Sequence, residues 1–117
     1  MYKTFAVAVL LCWWMVPVGA QSDIRALVHA SGLVAPVAIV QHPVDRSVQF
    51  VVEQSGRIRV VRNSAVLPAA FLDLGTAIST GGERGLLGMA LAPDYATSGR
   101  FFVNFTNPSG HTVVARF

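Results

Sequence analysis

The sequence contains one cysteine, Cys12, and one lysine, Lys3, and both fall within the first 20 residues. From Gln21 onward neither residue type occurs, which excludes disulfides, a thiol nucleophile and a cysteine-ligated metal from that region. It equally excludes a Schiff-base lysine and the lysine of a phosphate-binding loop. Charge is scarce: 13% of residues are charged, and the net charge of +3 becomes +2 without Lys3, with eight arginines against six acids. That surplus is too small and too dispersed for a nucleic-acid footprint. A hydrophobic content of 53% excludes intrinsic disorder. Long apolar runs are missing too. Phe5–Val16 is the longest, and it falls short of the roughly 20 residues that a spanning helix needs.

That run belongs to an N-terminal segment, Met1–Ala20, that reads as an export signal. Lys3 provides its positive start, Pro17 breaks the apolar stretch, and Val18-Gly19-Ala20 offers small residues for cleavage before Gln21. The other reading is an uncleaved anchor, with Trp13 and Trp14 at the interface. Residues 21–117 are then a single small domain, with no membrane span once the leader is removed. The expected location is outside the cytoplasm, periplasmic or secreted.

No sustained apolar spacing of helical period occurs after the leader, and Gly and Pro recur too often for long helices. The fold class expected is all-β, with about seven strands. Leu33–Val40 is an apolar run interrupted by Pro36, hence an edge strand or an extended approach rather than a helix. Ser47–Glu53 and Arg57–Arg62 are joined by Gln54-Ser55-Gly56 into a hairpin, with Ile58 and Val60 on one face and Arg57 and Arg59 on the other. Arg57, Arg59 and Arg62 are expected to form an exposed face that guards an edge. Asn63-Ser64 turns the chain into Val66–Leu74, an edge-like strand broken by Pro68. After the polar Ser79–Arg84 loop, Leu86–Leu91 reads as a buried strand. Arg100–Thr106 and His111–Phe117 make a second hairpin around Asn107–Gly110.

The two hairpins resemble each other, with Ser55 and Ser109 separated by 54 residues. A hairpin recurring at roughly 50 residues matches the period of a β-propeller blade of four antiparallel strands. The alternative is that two unrelated hairpins simply share Val, Phe and Gly. Seven strands amount to about two blades, fewer than the roughly 4–8 with which propellers close. The expectation is therefore a portion of a longer protein.

Gly81–Tyr95 (GGERGLLGMALAPDY), followed by Ser98-Gly99-Arg100-Phe101-Phe102-Val103, is the most informative segment. It resembles the glucose/sorbosone dehydrogenase family, the soluble pyrroloquinoline-quinone (PQQ) sugar dehydrogenases. Phe50–Val61, Phe71–Leu74 and Thr112–Phe117 fit the same family in the same order. The resemblance implies a six-bladed propeller carrying PQQ and calcium. Its partners are a sugar, oxidised at an aldose-type hydroxyl, and an electron acceptor such as a quinone. The family's catalytic base, quinone-clamping residues and calcium ligands belong to later blades, so no catalytic, cofactor-binding or metal residue is expected in this chain. The isolated chain is expected to be inactive, and enzyme activity is expected of the full-length protein. Alternatives are a non-catalytic binding propeller of the same family, or a small β protein that pairs through its edges.

One position carries over. Where glucose-oxidising members have a glutamine facing the sugar, this chain has Glu83, a candidate substrate-binding residue that accepts hydrogen bonds from hydroxyls. Its structural alternative is a pair with Arg84 or a cap on the Gly81-Gly82 turn. Asp94 is expected to cap the turn before Tyr95, and Ala92, where relatives carry His, to alter packing only. His29, His42 and His111 are scattered, without partners at metal-ligand spacing.

Overall fold

The computed structural model describes residues 24–117; the expected leader lies outside the described residues. Seven strands form two antiparallel sheets. The first runs in the order β1 (Pro36–Gln41), β2 (Val48–Glu53), β3 (Arg57–Arg62), β4 (Ala65–Asp73). The second runs β5 (Leu86–Leu91), β6 (Phe101–Thr106), β7 (Thr112–Arg116). One helical turn, α1 (Tyr95–Ser98), connects β5 to β6 and stops at Gly99, which adopts φ 67°. Among the described residues no helix is long and apolar enough to cross a membrane.

The strand boundaries follow from local chemistry. Pro36 opens β1 at the sheet edge, where a missing N–H costs no ladder bond. Asn63 and Ser64 both take positive φ, 49° and 67°, as the tight turn between β3 and β4 demands. Pro68 does not break β4. Val66 pairs with Val61 and Ala70 with Arg59, so two extra residues of β4 bulge out around the proline. At the outer edge this lets a nine-residue strand contain a residue that cannot donate.

The core lies between the sheets. Val48, Phe50, Val52 and Ile58 from the first meet Leu86, Phe101, Val103 and Phe105 from the second, with Ile78 of the connecting loop among them. Val52, Ile58 and Leu86 are fully buried, and each such burial contributes about 1.5–3 kcal/mol. Aromatic rings bridge the two layers: Phe50 lies 4.7 Å from Phe71, and Phe71 lies 5.0 Å from Phe101. Tyr95 stands edge-on to both Phe50 and His42, and burial raises its phenol above the usual 10.0.

The two similar hairpins, β2–β3 and β6–β7, occupy the same second and third positions in their sheets. The sequence repeat is thus a repeat of sheet position. The arginine face needs correction. β3 is an interior strand, and Arg62 points to the opposite side from Arg57 and Arg59 because side chains alternate. Only 17% of the Arg59 side chain is exposed; it donates to the Leu67 carbonyl at 3.0 Å and lies 4.0 Å from the Glu53 carboxylate. Arg57 is paired with Asp73 at 3.1 Å.

Candidate functional site

At one end of the two sheets, the Gln54–Gly56 turn, the loop from Leu74 to Gly85 and the Asn107–Gly110 turn come together. The long loop is fastened along its length. At its start, the Asp73 carboxylate accepts from Gly75 N–H at 2.9 Å, and Leu74 N–H donates to the Gly56 carbonyl at 3.0 Å. The bond from Gly75, followed by the one from Arg57, holds the Asp73 carboxyl below its usual value. Midway, Ser79 donates through its amide to the Thr106 carbonyl and through its hydroxyl to the Asn107 carbonyl, both at 2.9 Å. At its end, the Gln54 side-chain amide donates to the carbonyls of Gly82 (2.8 Å) and Arg84 (3.1 Å), while Leu86 N–H donates to the Gln54 carbonyl (3.0 Å).

Within this frame Gly81 and Arg84 close a tight turn, with Arg84 N–H donating to the Gly81 carbonyl at 3.1 Å. Gly82 at φ 58° and Glu83 form its tip. Glu83 is exposed. Among the described residues it makes neither an ion pair nor a side-chain hydrogen bond, so the expected pairing with Arg84 and the expected turn cap are both absent. The turn is closed by backbone and by Gln54 instead, which leaves the carboxylate free to accept from a ligand.

Gly85 is required where it stands. A Cβ there would lie 2.3 Å from the Gln54 carbonyl oxygen, and its φ is +147°. Close backbone approach between the loop and the first sheet is what the motif's glycine provides.

Beside Gln54, Glu53 is 1% exposed and accepts from Val34 N–H at 2.8 Å. Gln54 N–H donates to the Ala35 carbonyl at 3.0 Å, so this pair also fixes the chain leading into β1. Neither role is visible in the sequence, because both partners are remote. The nearest signal is a polar pair interrupting an otherwise apolar strand end.

Asp94 sits at the start of α1, as expected, but its side chain does not cap it. Its carboxylate turns to Arg100, whose bond is the main cause of its lowered pKa. His42 accepts at Nδ1 from the amides of Asp45 (2.9 Å) and Val44 (3.2 Å), organising the β1–β2 turn at the opposite end. His29 bonds Gln49 at 2.6 Å. Ala92 is buried, consistent with a packing position. Among the described residues no group of three or more His, Cys, Asp or Glu is placed to hold a metal ion. These residues do not by themselves fit a calcium site. The better-formed clefts lie on the outer sheet faces and at the β3–β4 edge, and Glu83 lines none of them. The motif loop is taken as the candidate because it is fastened to Gln54 on both sides of its turn and carries the exposed Glu83 carboxylate at its tip.

The arrangement defines a class: paired antiparallel propeller blades with a glycine-rich loop presented at one end. The family model for glucose/sorbosone dehydrogenase matches residues 33–117, and the chain belongs to that family. Among solved structures it is similar to the PQQ-bound aldose sugar dehydrogenase of Streptomyces coelicolor, with 27% identity and a TM-score of 0.67 over 77% of this chain and 26% of that one. It is also similar to an oxidoreductase (glucose dehydrogenase) of Thermus thermophilus, with 27% identity and a TM-score of 0.69 over 80% of this chain and 28% of that one. The chain thus spans about a quarter of the length of these structures. No curated protein matches it.

Proposed function

We propose that the chain contributes two blades to an exported, six-bladed, PQQ-dependent sugar dehydrogenase. The whole protein oxidises an aldose-type hydroxyl and passes the electrons to a quinone or another acceptor. The observation that carries this reading is the Gly81–Tyr95 motif, whose loop is held at both ends and presents Glu83 alone at its tip. The leader supports export, and the Streptomyces coelicolor relative with PQQ bound supports the cofactor.

In this reading Glu83 binds and orients the sugar. A carboxylate only accepts hydrogen bonds, so the sugar hydroxyls donate, whereas a glutamine at this position both donates and accepts. The preferred sugar therefore differs from that of glutamine-bearing relatives. PQQ, when bound, supplies the redox chemistry, and the protein supplies orientation. In this reading the quinone- and calcium-holding groups lie in the remaining blades, and the chain alone is inactive.

The test is dye reduction by the product of the whole reading frame, supplied with PQQ and calcium, across a panel of aldoses. PQQ-dependent reduction with at least one sugar supports the proposal. Sugar binding without reduction replaces it with a binding propeller, and the absence of both overturns it.

A further inference from the structure

Gln54 has one polar atom that the scaffold leaves unused. Its backbone N–H donates to the Ala35 carbonyl at 3.0 Å, and its backbone carbonyl accepts from Leu86 N–H at 3.0 Å. Its side-chain nitrogen donates to the carbonyls of Gly82 (2.8 Å) and Arg84 (3.1 Å). Its side-chain oxygen, Oε1, accepts from no group among the described residues. The buried side-chain atoms without a partner there are Arg59 Nε and Asn104 Oδ1. Oε1 of the half-buried Gln54 is not one of them, so it is open to solvent.

The orientation of this amide is settled by its neighbours. A carboxamide donates only through nitrogen and accepts only through oxygen. Two carbonyl oxygens meet the Gln54 side chain, and the nitrogen alone can serve both, which fixes an assignment that amides ordinarily leave open. Oε1 is therefore held on the side of the amide away from those two carbonyls. The backbone that holds it, at Ala35, the Gly82–Arg84 turn and Leu86, belongs to this chain. An acceptor held in place and without a partner, at the foot of the turn that carries Glu83, is preorganised for a donor arriving from outside.

We infer that Gln54 Oε1 is a second sugar-binding acceptor, receiving one hydroxyl hydrogen bond beside the one that Glu83 receives. Gln54 takes this role only if the loop is the sugar site, as proposed above. It is then a binding residue as well as a clamp. Glu83 and Oε1 both accept and neither donates, so the sugar must present a free hydroxyl to each. The substrate class is an aldose unsubstituted at both positions. A deoxy or O-methyl sugar at the second one leaves Oε1 without its donor, and a site built to bond a hydroxyl rejects the analogue that lacks it.

Gln54→Lys separates the two roles, because an ammonium still donates to the Gly82 and Arg84 carbonyls but offers no acceptor. Gln54→Arg repeats the separation with a planar donor. Urea unfolding of each variant checks that the clamp is kept. The readouts, on the product of the whole reading frame, are sugar Kd by calorimetry and, with PQQ and calcium supplied, kcat/KM. Both are taken for a parent aldose and its monodeoxy analogues. Glu83→Gln identifies the hydroxyl that Glu83 receives. The unsubstituted protein should disfavour one further monodeoxy analogue by about fivefold or more. In Gln54→Lys or Gln54→Arg that preference should vanish, while the preference assigned to Glu83 stays. A folded variant that keeps every preference overturns the inference with the sugar site intact, and Gln54 is then a clamp only. So does a variant in which all preferences weaken together, since that marks a displaced loop. An unsubstituted protein indifferent to every deoxy position but the one at Glu83 overturns it without any variant. A whole protein that binds no sugar overturns the reading of the site itself, and the role of Oε1 with it.

Discussion

Gln54 and Gly82 are joined across the two sheets: the side-chain amide at the tip of the first hairpin donates to the Gly82 carbonyl at 2.8 Å, over 28 residues of sequence. The same amide reaches the Arg84 carbonyl, so one side chain sets both sides of the turn that presents Glu83. Gln54→Ala should destabilise the chain by about 1–2 kcal/mol, the net worth of two such bonds. Gln54→Glu should cost more, because a carboxylate turns lone pairs toward two carbonyl oxygens. Urea unfolding of the three proteins checks the order, and an equal loss in both variants would remove the clamp.

Gly85 and Gly82 make a paired prediction. Both have positive φ, but a Cβ on Gly85 meets the Gln54 carbonyl oxygen at 2.3 Å, whereas one on Gly82 meets nothing within 4 Å. Gly82→Ala should therefore cost only the left-handed backbone term, about 1–2 kcal/mol. Gly85→Ala must also push the loop off the first sheet and break the Leu86–Gln54 hydrogen bond, so its loss should be clearly larger. Unfolding midpoints of the two variants, measured side by side, decide it.

The features legible in the sequence were the local ones. Alternating Val, Phe and Arg marked both hairpins, and Asn63-Ser64 supplied a turn whose chemistry is self-contained. The Gly81–Tyr95 motif was legible because its glycines report a backbone requirement. What escaped depends on remote partners. Arg59 reads as a solvated charge until β4 bulges at Pro68 and brings the Leu67 carbonyl to it. Glu53 reads as the polar end of a strand until Val34 and Arg59 enclose it. Asp94 stands where a cap belongs, and only the return of the chain at Arg100 redirects its carboxylate.

Acid sensitivity should arise from three aspartates. Asp73 is held below the usual 3.8 by Gly75 N–H and then Arg57. Asp45 is lowered mainly by Ser47, and Asp94 mainly by Arg100. A carboxyl whose pKa is lower in the folded chain contributes stability that is present above its unfolded value and lost as pH falls through its folded one. The melting temperature should thus stay level from neutral pH to about pH 4 and fall below it. Asp73→Asn should lower the plateau and flatten part of that fall. An acid limb unchanged in Asp73→Asn would show that the loop's first fastening does not depend on the charge.

Glu83→Gln separates presentation from scaffolding. The side chain is exposed and makes no hydrogen bond or ion pair among the described residues, so the substitution should leave stability within about 0.5 kcal/mol. In the whole protein it should alter sugar handling, because hydrogen bonds to a charged acceptor are stronger than neutral ones by about 1 kcal/mol. That difference corresponds to roughly fivefold in kcat/KM for a sugar that donates to the carboxylate. The preference should move toward sugars that present an acceptor at that point, since glutamine adds a donor. Kinetics of the paired proteins over the same aldose panel provide the readout. If kcat/KM is unchanged for every sugar while stability is also unchanged, Glu83 does not touch the substrate. The loop's role then ends at holding the two sheets together.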